Sequence, residues 1–149
     1  MFQNKISAFI SSTINELHNE RVAIKRTLDS REIESFAFEF DIGSRPESVE
    51  KAFLSEVENS EIYIGVFLNQ FSKPTFTEYQ KAKDLGKPIF VYIKNYSLER
   101  DNSLQEFIDE ISNPELGITY STFSNAFELG NNVERDINRW LIRQWKSSL

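Results

Sequence analysis

The chain has no cysteine, which removes disulfides, thiolate nucleophiles and thiolate metal sites from consideration. It has a single histidine, His18, so neither a Ser-His-Asp arrangement with a spare base nor a histidine-rich zinc site can be assembled. Its five glycines do not fall in G-x-G-x-x-G or P-loop spacing, so conventional Rossmann and Walker phosphate loops are absent. No apolar stretch approaches the roughly 20 residues of a membrane helix, and Met1 to Lys5 does not open a signal peptide. Basic charge is also in short supply. The formal net charge of −6 argues against a duplex nucleic-acid footprint, which needs a cationic face. These absences predict a cytoplasmic protein that needs no bound metal. What remains is 149 residues, 40% hydrophobic and 27% charged, enough for one globular domain with its own core.

Strand and helix patterns alternate along the chain. Lys5 to Ile10 fits a buried strand, and Thr13 to Ser30 a helix opened by the capping-box spacing Thr13-Ile-Asn-Glu16. Glu34 to Phe40 places Phe36, Phe38 and Phe40 on one face of a half-buried strand. Ser44-Arg-Pro-Glu47 has the same capping spacing, ahead of a helix with Val49, Phe53 and Val57 in a stripe. Glu61 to Leu68 is almost wholly apolar, as a central parallel strand covered on both faces should be. A short helix from Thr77 to Leu85 stops at Gly86, and Pro88 to Ile93 is a fourth buried strand. Leu104, Phe107, Ile108 and Ile111 mark another helix. Ile118 to Phe123 reads as an edge strand, and a long helix from about Asn125 closes the chain. Asn95 to Asn102 is the most loop-like stretch. Repeated strand-helix units predict a flavodoxin-like three-layer sandwich with a five-stranded parallel sheet in the order 2-1-3-4-5.

In such sheets ligands sit beyond the carboxyl ends of the strands, where the order reverses between the first and third. That places Ser11 and Ser12 opposite Asn69 to Thr75, with Glu78 above them. Glu78, Ala82 and Leu85 fall on one helix face, the face normally turned to the sheet. Two readings of Glu78 stay open: a catalytic carboxylate, or a cap completing the spacing Thr75-Phe-Thr-Glu78. Ser11 and Ser12, just before a helix, could hold phosphate on backbone N–H groups or simply lead into that helix. Phe71, Phe76 and Tyr79 could stack on a base or fill the core. Arg21 interrupts the apolar stripe Leu17, Ile24, Leu28 and is expected to pair with Glu39 or Asp41, with His18 partly buried beside it. Arg135, Arg139 and Arg143, four apart, read as a solvated face. Leu129, Val133, Ile137, Leu141 and Trp145, broadened by Trp140, form a stripe that runs nearly to the end of the last helix. Its end is expected to cover a second copy or a following domain.

Ser11-Ser-Thr-Ile-Asn-Glu-Leu-His-Asn-Glu-Arg21 resembles the S-S-T-x-x-x-L-x-x-E-R opening of a bacterial family of unknown function that is similar to Toll/interleukin-1 receptor (TIR) domains. Phe76-Thr-Glu78, then Ala82 and Gly86-Lys-Pro-Ile89, matches the same family's second signature, and the resemblance spans roughly Lys5 to Ile93. It implies a TIR-like N-terminal domain of a larger signalling or antiviral-defence protein, often ahead of a NACHT-type ATPase. TIR-domain NAD glycohydrolases carry their catalytic glutamate on the helix after the third strand, where Glu78 falls. The tryptophan and cysteine that usually precede it are absent here. Nucleoside 2-deoxyribosyltransferases are similar through Thr75, Glu78, Ala82 and Gly86-Lys-Pro88, with Pro74 in place of their glycine. Both relatives break an N-glycosidic bond at a ribose. The resemblance therefore implies NAD or a related nucleotide as substrate, Glu78 acting at the ribose, Ser11 and Ser12 near the phosphates, and Asn69, Thr75, Phe76 and Tyr79 lining the site.

Overall fold

The computed structural model describes residues 5–13, 16–37, 43–69, 72–95, 100–115 and 117–149. Among the described residues strands and helices alternate: β1 (Ser7–Ser11), α1 (His18–Ser30), β2 (Glu34–Phe36), α2 (Val49–Asn59), β3 (Ile62–Phe67), α3 (Lys73–Asp84), β4 (Ile89–Lys94), α4 (Asn102–Ile111), β5 (Tyr120–Phe123) and α5 (Ala126–Ser147). The strands form one five-stranded sheet in the order β2-β1-β3-β4-β5, with every neighbouring pair parallel. The expected flavodoxin-like order is therefore present. Each strand is short and β-rich, and each connection carries a helix back across a face, which is what parallel pairing demands.

Alternation along the strands divides the core in two. Ala8, Ile10, Ile62, Ile64, Val66, Tyr92 and Phe123 meet Ile24 and Leu28 of α1 and Leu129, Val133 and Ile137 of α5. Phe9, Phe36, Tyr63, Phe67, Val91 and Ile93 face the other way, against Val57 of α2, Tyr79 and Ala82 of α3, and the four apolar residues of α4. All six residues of β3 are buried, because β3 is flanked by strands on both edges and by helices on both faces.

The helix starts differ from the capping-box expectations in all three places. The α1 helix begins at His18, behind Leu17 in the left-handed region (φ 62°). The Thr13 and Glu16 carbonyls instead accept from the Arg21 guanidinium, at 2.9 and 2.6 Å. The α2 helix begins at Val49, with Ser48 accepting from the Lys51 N–H. Ser44 and Glu47 lie ahead of it in a segment that Arg45 ties to Glu56 (2.8 Å) and to the Phe36 ring. The α3 helix begins four residues before Thr77, at Lys73, because Ser72 is the cap and Pro74, lacking an N–H, suits the first turn. At its other end Gly86 takes φ 68°, and the Gly86 and Lys87 N–H groups return to the Lys83 and Ala82 carbonyls, closing the helix as expected.

Phe38 and Phe40 of the second expected strand, the proposed Arg21 partners Glu39 and Asp41, Phe71, and residues 96–99 of the Asn95–Asn102 loop lie outside the described residues. His18 is exposed rather than partly buried. The α5 helix has 22 residues, about 33 Å at the helical rise. Its stripe is buried through Ile137, Leu141 and Trp140 are partly covered, and Trp145 is 61% exposed beside the exposed Ile142 and Leu149. No helix among the described residues is long and apolar enough to cross a membrane.

Candidate active site

With α3 starting at Lys73, Glu78 lies in its second turn, beyond reach of the helix entrance. It therefore caps nothing. Thr75, Glu78, Tyr79 and Ala82 form the buried face, whereas Leu85, expected on that face, is 45% exposed. The carboxylate points at the end of β1, where the Ser11 hydroxyl donates to Glu78 Oε1 at 2.7 Å. Ser11 is the last residue of β1 and pairs in register with Gly65 of β3, at the point where the strand order reverses.

Gly65 makes room at this corner. A Cβ there would stand 2.9 Å from the Phe67 ring and 3.2 Å from Tyr63 Cε1, so the rings of its two same-face neighbours close over it. Sequence reading took this glycine as part of an apolar run. A lone glycine inside a buried strand was the available signal, since it marks close approach more often than packing.

Glu78 is only 6% exposed and has no cationic partner among the described residues. Burial lifts its pKa from 4.5 to about 7, and the Ser11 hydrogen bond, which favours the charged form, offsets part of that rise. Tyr63 is pushed upward too, chiefly by burial; the Ser11 hydroxyl acts against the rise and the Glu78 carboxylate adds to it. These three groups share one field, yet Tyr63 Oη makes no hydrogen bond of good geometry among the described residues. Glu78 also borders an open cavity of about 470 Å³ between the N-terminal halves of α2 and α3. Val49, Phe53, Leu54 and Pro74 give it apolar walls, and Glu50, Lys73 and Thr77 complete it. A carboxylate poised near neutrality at the rim of such a cavity can accept a proton, donate one, or face a developing positive charge.

The other expected site residues separate. Ser12 points to the opposite face of the sheet and accepts from Arg21 at 2.7 Å. The α1 helix starts at His18, so neither serine immediately precedes its first turn. Thr75 is buried one turn before Glu78, with its hydroxyl 2.8 Å from that of Ser72. Asn69 follows β3, its Oδ1 buried without a hydrogen bond among the described residues, and its carbonyl accepts from the Asp101 N–H. Phe76 is 43% exposed and turns to the α4 side, where it shares a different cavity with Ser103 and Phe107. Tyr79 is committed to the core, edge-on to Tyr63 and Phe107, and presents no free ring face to a base. Arg21 donates to the Ser12 hydroxyl and to the Thr13 and Glu16 carbonyls of the β1–α1 connection, and its expected partners Glu39 and Asp41 lie outside the described residues. Arg135 pairs with Asp136, which also accepts from the Tyr92 hydroxyl, while Arg139 and Arg143 are exposed. No group of three or more histidine, aspartate or glutamate side chains suited to a metal occurs among the described residues. A partly buried ion pair that sequence reading missed, Lys94 Nζ to Glu20 Oε1 at 2.9 Å, lies on the α1 side.

Residues 7–138 match the family described as "Domain of unknown function (DUF4062)". No curated protein matches the chain. Among solved structures, it is similar to the Clostridium botulinum CMP N-glycosidase BcmB, with a TM-score of 0.58 and 14% identity, covering 86% of this chain and 97% of that one. It also aligns with the flavodiiron core of Flv1 from Synechocystis, with a TM-score of 0.49 and 13% identity, covering 92% of this chain and 37% of that one.

Proposed function

This chain belongs to the DUF4062 family, and we propose that it cleaves the N-glycosidic bond of a nucleotide, with Glu78 as the acting carboxylate. One observation carries the reading. A buried glutamate held by a neutral hydroxyl, with a pKa raised to about 7, sits at the strand-order reversal on the rim of an open cavity. The CMP N-glycosidase with a similar fold supports the bond class, and the resemblance of the Ser11–Arg21 and Phe76–Ile89 segments to TIR-like domains supports NAD as a second substrate to assay. In its ionised form Glu78 faces C1′ of the ribose. The glycosidic electron pair leaves with the base, and the positive charge at C1′ is met either by a bond to the carboxylate or by its field until water adds. Ser11 orients the carboxylate. Lys73, on the same cavity wall, is placed to meet a phosphate. The reaction requires no metal. The same resemblance supports a setting in bacterial signalling or antiviral defence.

The test is Glu78→Gln, assayed for release of the base from CMP and from NAD alongside its thermal midpoint. Glutamine keeps an acceptor for the Ser11 hydroxyl, so folding should be retained while turnover falls by about a hundredfold or more. A well-folded variant with undiminished turnover would overturn the assignment.

A second reading is favoured by the exposed end of α5. Trp145, Ile142 and Leu149 together form an apolar tip suited to a second copy or a following domain, with Trp140 at its base against Phe90. It is compatible with the first, because it uses the opposite end of the molecule from Glu78.

A further inference from the structure

The Tyr63 hydroxyl has no task in the chemistry above. Tyr63 is 1% exposed, its ring lies parallel to Phe9 at 6.2 Å and edge-on to Tyr79 at 6.1 Å, and phenylalanine could make both contacts. A buried hydroxyl that makes no hydrogen bond of good geometry among the described residues is a cost that phenylalanine would avoid, so its presence asks for a reason. Its direction supplies one. Tyr63 stands two residues before Gly65 on the same face, and its Cε1 edge comes within 3.2 Å of the place where a Gly65 Cβ would be. The ring thus leans along β3 over Gly65, carrying the hydroxyl toward Ser11, the register partner of Gly65.

Ser11 has one hydroxyl proton, and at rest it goes to Glu78. For Glu78 to act in the cavity between α2 and α3, its carboxylate must turn from Ser11, which would leave that buried donor unpaired. We propose that Tyr63 is a positioning residue: its hydroxyl takes up the Ser11 hydrogen bond when Glu78 turns to its substrate. The number of hydrogen bonds inside the protein is then the same before and after the turn, and the orphan at rest is an acceptor held in reserve. The other ionisable groups around Glu78 are Glu50 and Lys73 on the cavity wall and Tyr79 beside it on α3. What Glu78 turns toward rests on the N-glycosidase reading; the exchange of the Ser11 bond does not.

The experiment is Tyr63→Phe in two backgrounds, the native chain and Glu78→Leu, which removes the acceptor of Ser11 while filling its space. In the native chain, losing an orphan hydroxyl should raise the thermal midpoint by about 2 °C. In the Glu78→Leu background Ser11 is already bonded to Tyr63, so the same change should lower the midpoint by a similar amount. Glu78→Met serves as the background if Glu78→Leu does not fold. A shift of the same sign and size in both backgrounds would overturn the proposal. On a substrate that the native chain cleaves, Tyr63→Phe should also reduce kcat about fivefold with KM unchanged; an unchanged kcat would count equally against it. Absence of any cleavage by the native chain would strike the N-glycosidase reading, and the thermal comparison would still decide the hydrogen-bond exchange.

Discussion

Glu20 and Glu78 are two glutamates with the same 6% exposure, on opposite faces of one sheet. Glu20, on α1, is met by the Lys94 ammonium at 2.9 Å, from the end of β4. Glu78, on α3, is met by a serine hydroxyl at 2.7 Å and, among the described residues, by no cation. Burial alone therefore does not distinguish a structural acid from a reactive one. A paired charge is part of the fold, since removing either partner strands the other. A charge held only by a neutral donor bears most of its desolvation cost and exchanges its proton near neutral pH.

The sharpest way to break this contrast is the pH dependence of stability with and without the Glu78 carboxyl. Its folded pKa is raised, so the folded chain holds the proton more tightly than the unfolded one. The associated stability is complete below pH 4.5 and is lost as pH rises through about 7. A rise from 4.5 to about 7 corresponds to about 3 kcal/mol. Glu78→Gln should abolish this slope, so that urea titrations of the two proteins diverge in the variant's favour between pH 5 and pH 8. Parallel curves over that interval would mean that Glu78 is solvated and the contrast is false.

Lys94→Met attacks the other half. It leaves Glu20 buried and charged, but the lysine side chain is 29% exposed, so the cost should be about 2 kcal/mol at pH 7, less than for a fully buried pair. An unchanged denaturation midpoint at pH 7 would show that Glu20 needs no partner. The smallest effect belongs to Ser11→Ala, which removes a hydrogen bond to the ionised form of Glu78. It should cost about 1 kcal/mol at pH 8 and less at pH 5, and it should move the Glu78 titration, followed by carboxyl NMR, further upward. A downward shift would show that Ser11 favours the protonated acid.

Much of the architecture was legible in the chain because its determinants are local. The apolar run of β3, the stripe Leu104, Phe107, Ile108 and Ile111, and the Gly86 stop each need only neighbours a turn or a strand away. From these, parallel pairing and the order β2-β1-β3-β4-β5 follow through connection rules, and with them the inward-facing position of Glu78. Helix entrances were not legible. A serine or threonine three residues before a glutamate is a necessary pattern for a capping box and not a sufficient one. Arg21 and Arg45 drew two such segments into side-chain contacts, and Ser72 took the third cap.

The details of the corner were decided only in three dimensions. Ser11 and Glu78 meet across 67 residues of chain, and no periodicity encodes the sign of a partner at that distance. The same holds for Lys94 and Glu20, 74 residues apart. Whether Tyr79 faces a cavity or the core depends on Phe107 and Tyr63, which arrive from other elements. By itself, then, the sequence determined the alternating elements, the sheet they build and the edge at which a ligand would sit, because hydrophobic spacing acts over a few residues. The tertiary structure decided which buried carboxylate meets a cation and which meets only a hydroxyl, because that depends on what the fold brings within about 3 Å of each charge.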